Sequence, residues 1–364
     1  MKTYRFSRQI NKDFSTALRK RVNAYFKEND IEKSGNSLMR LKTLSALGLY
    51  FGPFAIILLA GLDSVPILFG LWLIMGFGKA FMGTSVMHDA LHGSMFDKKP
   101  ANKLFGFSAV MLGADARMWK IQHNVIHHTY TNVEEVDEDI EVKYILRFSP
   151  NQPRYWFHRF QHIYAPFFYA ISTIFWATAR DFFKLAKYRE KGFITQPKEY
   201  YGRMGKILLG KILYFAFFLA LPLYLVPIPA WLTVVMFLSM HAFAGFILSV
   251  TFQLAHVVPN TEFVLPEGEE IKENWFVHQL LTTCNFATKS KVVGWFTGGL
   301  NFQIEHHLFP NICHIHYPKL SKIVQETAAE FNIPYNLESN VFTAVGNHFR
   351  MLRDLGRVEK KLAM

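Results

Sequence analysis

Two cysteines in 364 residues, Cys284 and Cys313, exclude a disulfide framework and read as free thiols in a reducing compartment. Charged residues are also scarce, at 19% of the chain. The polar, basic N-terminus has no signal-peptide core, so membrane insertion has to come from internal segments. No internal repeat or low-complexity linker separates domains, and no nucleic-acid-binding motif accompanies the basic residues, which excludes nucleic acid as a partner. The Glu-x-x-His pairs of carboxylate di-metal bundles are missing, as is the His-Glu-x-x-His of metalloproteases. What remains is apolar and aromatic: 51% hydrophobic residues, 36 of them Phe, and a net charge of +12. The apolar and aromatic load points to a membrane, and the positive charge suits a membrane surface or an acidic protein partner.

Four apolar stretches are long enough to cross roughly 30 Å of hydrocarbon. They lie at about 44–62, 65–87, 207–226 and 229–254, joined pairwise by the short turns at 61–66 and at Pro227–Pro229. A fifth stretch, 160–178, is followed by a basic block from Lys184 to Lys206. Full crossing there would put that block outside, against the positive-inside bias, so an interfacial or partly inserted helix is expected. The predicted fold is an all-α polytopic membrane protein: four transmembrane helices in two hairpins and a cytoplasmic helical cap. In domain terms this gives a basic amphipathic segment at 1–43, a membrane domain at 44–330 and a helical tail at 331–364. Within the first, Phe14, Leu18, Val22 and Phe26 fall four apart on one helix face. That face fits either an anionic membrane surface or the protein's own soluble part.

The histidines cluster. His123, His127 and His128 fall within six residues of K-I-Q-H-N-V-I-H-H-T-Y-T-N, and positions four apart on an α-helix share a face. His88 and His92 are four apart at the end of the second span. His256 closes the fourth span, and N-F-Q-I-E-H-H-L-F-P carries His306 and His307, with Gln303 a turn earlier. The predicted topology brings all of them to one membrane face. Neutral imidazoles are metal ligands, and eight exceed what one four-coordinate zinc needs, which favours two metals. His158, His162, His241, His278, His314, His316 and His348 lie outside these groups and read as structural or exposed.

The H-D-A-L-H, H-N-V-I-H-H and Q-I-E-H-H boxes, in this order and spacing, resemble those of the integral-membrane fatty acid desaturases over roughly residues 40–330. The Q-I-E-H-H-L-F-P ending looks like the branch of front-end and acyl-lipid or acyl-CoA enzymes. The resemblance implies two irons held by His88, His92, His123, His127, His128, His256, His306 and His307, with O2 as co-substrate. It also implies a fatty acyl substrate, carried on coenzyme A or phospholipid, that loses two hydrogens from adjacent methylenes. Many members of the wider family have histidine where this chain has Gln303. The His-Pro-Gly-Gly haem motif of fused enzymes is absent, so the electrons are expected from a separate protein such as ferredoxin or cytochrome b5. The expected location is a bacterial plasma membrane, with the active site on its cytoplasmic face.

Asp89, Asn124, Glu305 and Asp139 are the candidates to orient the imidazoles by accepting their second N–H. Trp119, Phe302 and Phe309 abut the boxes and are candidates to line an acyl tunnel. A hydroxylase or ketolase on the same scaffold is the nearest rival reading. A membrane zinc hydrolase or metal transporter is more distant, because the spans are apolar at their centres apart from His241.

Overall fold

The computed structural model describes residues 3–141, 144–266 and 268–357. The protein is helical, with two pairs of two-residue parallel strands and no closed sheet among the described residues. The chain separates into two units. One comprises Asn36–Ile121 and Pro166–Ser249; the other comprises Met1–Gly35, Gln122–Ala165 and Val250–Met364.

The N-terminal amphipathic helix, α1 (Lys12–Glu28), buries Phe14, Leu18, Val22 and Phe26. They join a cluster with residues of 276–333, including Leu320 and Val324. Of the two surfaces that fit this face, the protein's own residues within 276–333 occupy it.

Four helices are long and apolar enough to cross a membrane: α2 (Ser37–Leu59), α3 (Val65–His92), α6 (Pro197–Leu225) and α7 (Ala230–His256). Between these pairs lie α4 (116–127) and α5 (161–190). All four spans are found, with shifted ends. Asn36 starts α2 earlier than expected by accepting from the Leu38 N–H at 2.9 Å, satisfying an orphan donor. A proline in the first turn starts α6 ten residues early, taking in Lys198, Arg203 and Lys206. The second span does not stop at residue 87. A π-helical segment, Met82–Met87, passes into a last α turn, His88–His92, so the first histidine pair is the end of the span itself.

Where helices meet closely, glycine makes room. A Cβ on Gly78 of α3 would lie 2.4 Å from the Leu49 carbonyl oxygen of α2, and one on Gly245 of α7 would lie 2.5 Å from that of Ala170 in α5. Small residues permit such backbone approach between apolar helices. Two lysines in apolar helices are fully engaged. Lys79 donates to the Leu112 carbonyl and the Tyr214 hydroxyl, both at 2.8 Å. Tyr214 lies 2.9 Å from His241 Nε2, and Thr173 caps the other ring nitrogen at 3.0 Å. Lys211 is paired with Asp181 and donates to the Gly113 and Trp176 carbonyls. These networks meet the requirement that a polar group away from water be hydrogen-bonded.

Candidate metal centre

The second histidine group sits on a helix that changes hand-hold midway. In α4, Ala116–Lys120 is α-helical, and Asp115 caps it by accepting from Arg117 and Met118. Ile121–His127 is π-helical. The His128 N–H bonds the His123 carbonyl five residues back, at 3.0 Å. Widening the turn changes which side chains coincide. The Nε2 atoms of His123 and His128 lie 3.2 Å apart, whereas the His123 and His127 rings are stacked with centroids 5.4 Å apart. A five-residue pairing of His123 with His128 is thus added, while His123 and His127 keep ring nitrogens within 4.8 Å of each other. Single π turns of this kind recur at functional sites.

Around this turn the remaining imidazoles of the same unit converge. His127, His256 and His307 bring nitrogens within 4.8 Å of one another, as do His128, His306 and His307. His306 and His307 come from α9 (Gln303–Leu308), a helix buried throughout. His256 is the last residue of α7. The ring centroids of His128 lie 4.5 Å from those of both His306 and His307.

The outward nitrogens are anchored. His127 Nδ1 donates to Asp137 at 3.0 Å, with Asp139 at 3.5 Å. His307 Nδ1 donates to the Gln279 side-chain oxygen at 2.9 Å, and His256 Nδ1 to the Thr282 carbonyl at 3.3 Å. Tyr317 stands 3.3 Å from His306 Nδ1. The carboxylate, amide and carbonyl oxygens accept at Nδ1 of His127, His307 and His256, which places a proton there and turns Nε2 toward the interior of the group. His256 Nε2 is buried with no hydrogen-bond partner among the described residues. Nitrogens about 3 Å apart suit two ligands sharing a cation at about 2 Å. The donor set fits borderline transition metals.

Asp137 is the acceptor that sequence reading missed. It sits in the same E-E-V-D-E-D run as Asp139, where no periodicity selects one carboxylate. It is fully buried, and the backbone N–H groups of Asn132 and Asp139 fix it at 2.9 and 3.0 Å. Burial alone would push the His127 imidazole down; the Asp137 and Asp139 carboxylates outweigh it and hold it up at about 9. Asp139 itself is bonded by Gln122 and approaches His127 from the more exposed side.

Helix α8 (Trp275–Thr282) was also not foreseen. The Trp275 indole and the Gln279 amide both donate to the His128 carbonyl at 3.3 Å. The Thr131 hydroxyl, 2.9 Å from Gln279, bonds the His127 carbonyl at 2.8 Å. Gln279 thus links the second and third boxes with one side chain. Among the described residues, Glu305 accepts from no imidazole. It accepts from Asn285 at 2.8 Å and Tyr335 at 2.9 Å, and burial pushes its carboxyl up to about 7 against those two bonds. Asn124 stands half-buried on the π turn. Gln303 is buried on α9, and its Nε2 has no hydrogen-bond partner among the described residues.

In the other unit, the His88 and His92 rings lie 4.6 Å apart, with Trp119 edge-on to both at 5.7 Å. Asp89 stands 3.5 Å from His88 Nδ1. Phe302 and Phe309 are buried beside α9.

Histidine clusters able to hold a metal ion occur in this chain together with four helices long and apolar enough to cross a membrane, the combination of a membrane metalloprotein. Residues 64–339 match the family model described as fatty acid desaturase. The chain is 35% identical over 366 residues to an acyl-lipid (8-3)-desaturase of Physcomitrium patens, covering 99% of this chain and 75% of that one. It is 33% identical to an sn-1 linoleoyl-lipid 6-desaturase of Synechocystis sp., covering 94% and 96%. The corresponding enzyme of Arthrospira platensis is 32% identical, covering 94% and 92%. The chain belongs to the fatty acid desaturase family. It is a membrane oxidoreductase that desaturates fatty acyl chains.

Proposed function

We propose that the enzyme uses two irons and O2 to insert a double bond into an acyl chain esterified to a membrane lipid. The overall change is R–CH2–CH2–R′ + O2 + 2e− + 2H+ → R–CH=CH–R′ + 2H2O. The observation that carries this reading is the nest of His127, His128, His256, His306 and His307, with ring nitrogens within ligand range. His123 and, from the first box, His88 and His92 complete the proposed set by family resemblance. Unactivated methylenes give acid–base groups no handle, so the metal pair supplies the oxidising chemistry. The chain's own residues keep the ligands oriented. Asp137 and Gln279 hold His127 and His307 in one tautomer, and burial of the whole group excludes water. Asn124, Asp89 and Asp139 are assigned to the same supporting layer. Gln303 occupies the third-box position where the wider family often has histidine, and leaves one metal with fewer imidazoles.

The 6-desaturases that align over nearly their full length support a lipid-bound substrate oxidised toward its carboxyl end. Electrons come from a separate carrier such as ferredoxin or cytochrome b5. We place the enzyme in a bacterial plasma membrane, with the boxes on the cytoplasmic face.

Lipid profiling of a host expressing the chain, with double-bond localisation, tests the reaction. A new double bond in lipid-esterified chains is expected; a new hydroxyl group without one overturns it. Metal analysis of the purified protein should return two irons per chain, and zinc alone would count against the oxidative site.

A further inference from the structure

A basic cleft lies behind the histidine nest, within the same unit. Its larger part, about 790 Å3, is lined by Arg5, Arg8 and Arg19 with Trp275 and Phe276; Glu270 is the one carboxylate among its lining residues. A second part, about 290 Å3, shares Arg19 and Trp275 and adds Lys33, Leu308 and Phe309. Arg5, Arg8 and Arg19 are exposed and form no ion pair with a carboxylate among the described residues, unlike Arg21, which pairs with Glu330 at 2.6 Å. The Arg19 guanidinium lies 4.5 Å over the Phe276 ring, which holds it in place. The floor leads inward. The Trp275 indole N–H bonds the His128 carbonyl at 3.3 Å, and Leu308 and Phe309 directly follow His306 and His307.

We propose that this cleft docks a small acidic one-electron carrier protein, with Trp275 as the inlet to the metal ligands. The proposal rests on the desaturase reading, which consumes two electrons per double bond and so needs two successive encounters. Arginine and aromatic residues around an apolar floor are the composition of interface cores, and redox encounters need little area. Uncompensated positive charge steers an acidic partner and leaves release fast. A phosphate-bearing lipid headgroup is the lesser candidate, because none of the lining residues belongs to a membrane-crossing helix.

The test reads binding and electron transfer separately, on metal-loaded full-length protein in nanodiscs with an acidic [2Fe–2S] ferredoxin as probe. Binding is followed by calorimetry at low and high salt. Turnover is followed with reduced ferredoxin and, in parallel, with photoreduced free flavin. In Arg8→Glu/Arg19→Glu, ferredoxin affinity and ferredoxin-driven turnover fall by about tenfold and lose most of their salt dependence, while flavin-driven turnover is kept. Arg8→Gln/Arg19→Gln moves both in the same direction and serves if the charge reversal does not fold. Trp275→Phe keeps ferredoxin affinity but slows ferredoxin-driven turnover. Unchanged affinity in the folded charge variants overturns the proposal. A raised KM for lipid under flavin, with ferredoxin affinity unchanged, overturns it in favour of a headgroup site. If neither reductant supports desaturation, the desaturase chemistry fails, and the binding measurements alone decide the docking surface.

Discussion

At the scale of single residues, the anchors behind the imidazoles matter as much as the imidazoles. Asp137 receives the His127 proton from a fully buried position and is itself held by two backbone N–H groups. Asp137→Asn should lower metal retention or turnover by about 10–100-fold, the usual cost of losing an outer-shell acceptor. Asp139→Asn should cost less, since that carboxylate is farther away and partly exposed. Iron content per chain, measured alongside turnover, separates the two. His127→Ala should abolish desaturation while membrane insertion is kept; retained activity would remove His127 from the site.

At the scale of elements, close helix contacts and one docked histidine set the stability. Gly78→Ala places a carbon against the α2 backbone, which cannot give way as a flexible side chain would. A loss of about 1–3 kcal/mol is expected, read as a lower unfolding midpoint of the solubilised protein. The same change at Gly48, which has no neighbour within 4 Å, should be harmless.

The helix α10 (Tyr317–Glu330) covers α1, and α11 (Val341–Leu355) ends the described chain. In α11, buried His348 donates to the Val257 carbonyl at 2.8 Å, and burial pushes its imidazole down to about 4. The folded state then binds fewer protons than the unfolded state between about pH 4 and 6.5. This contribution to stability is intact above pH 6.5 and is lost as pH falls toward 4. His348→Gln should flatten the acid limb of an unfolding-versus-pH curve; an unchanged limb would exclude His348 as its source.

At the scale of the whole molecule, ligand binding and folding are linked. A metal held by residues from distant parts of the chain binds the native state far better than the unfolded one. Chelation should therefore lower the unfolding temperature of the full-length protein, and Fe2+ should restore it. Identical curves for the stripped and reloaded protein would mean that the nest forms no such site.

The sequence by itself determined the helical membrane class, the four spans and the box histidines. Apolar length and clustered imidazoles are local properties, readable without knowing what each segment meets. Span ends shifted because local caps outrank apolar length, as the Asn36 side chain does at Leu38, while the in-helix Lys79 is accommodated by Tyr214, 135 residues along the chain. Only the tertiary structure decided that a π turn pairs His123 with His128, that Asp137 rather than Glu305 orients an imidazole, and that α1 spends its apolar face on the protein. Each of those depends on which side chain lies across a gap of about 3 Å, a distance set by packing between segments up to hundreds of residues apart.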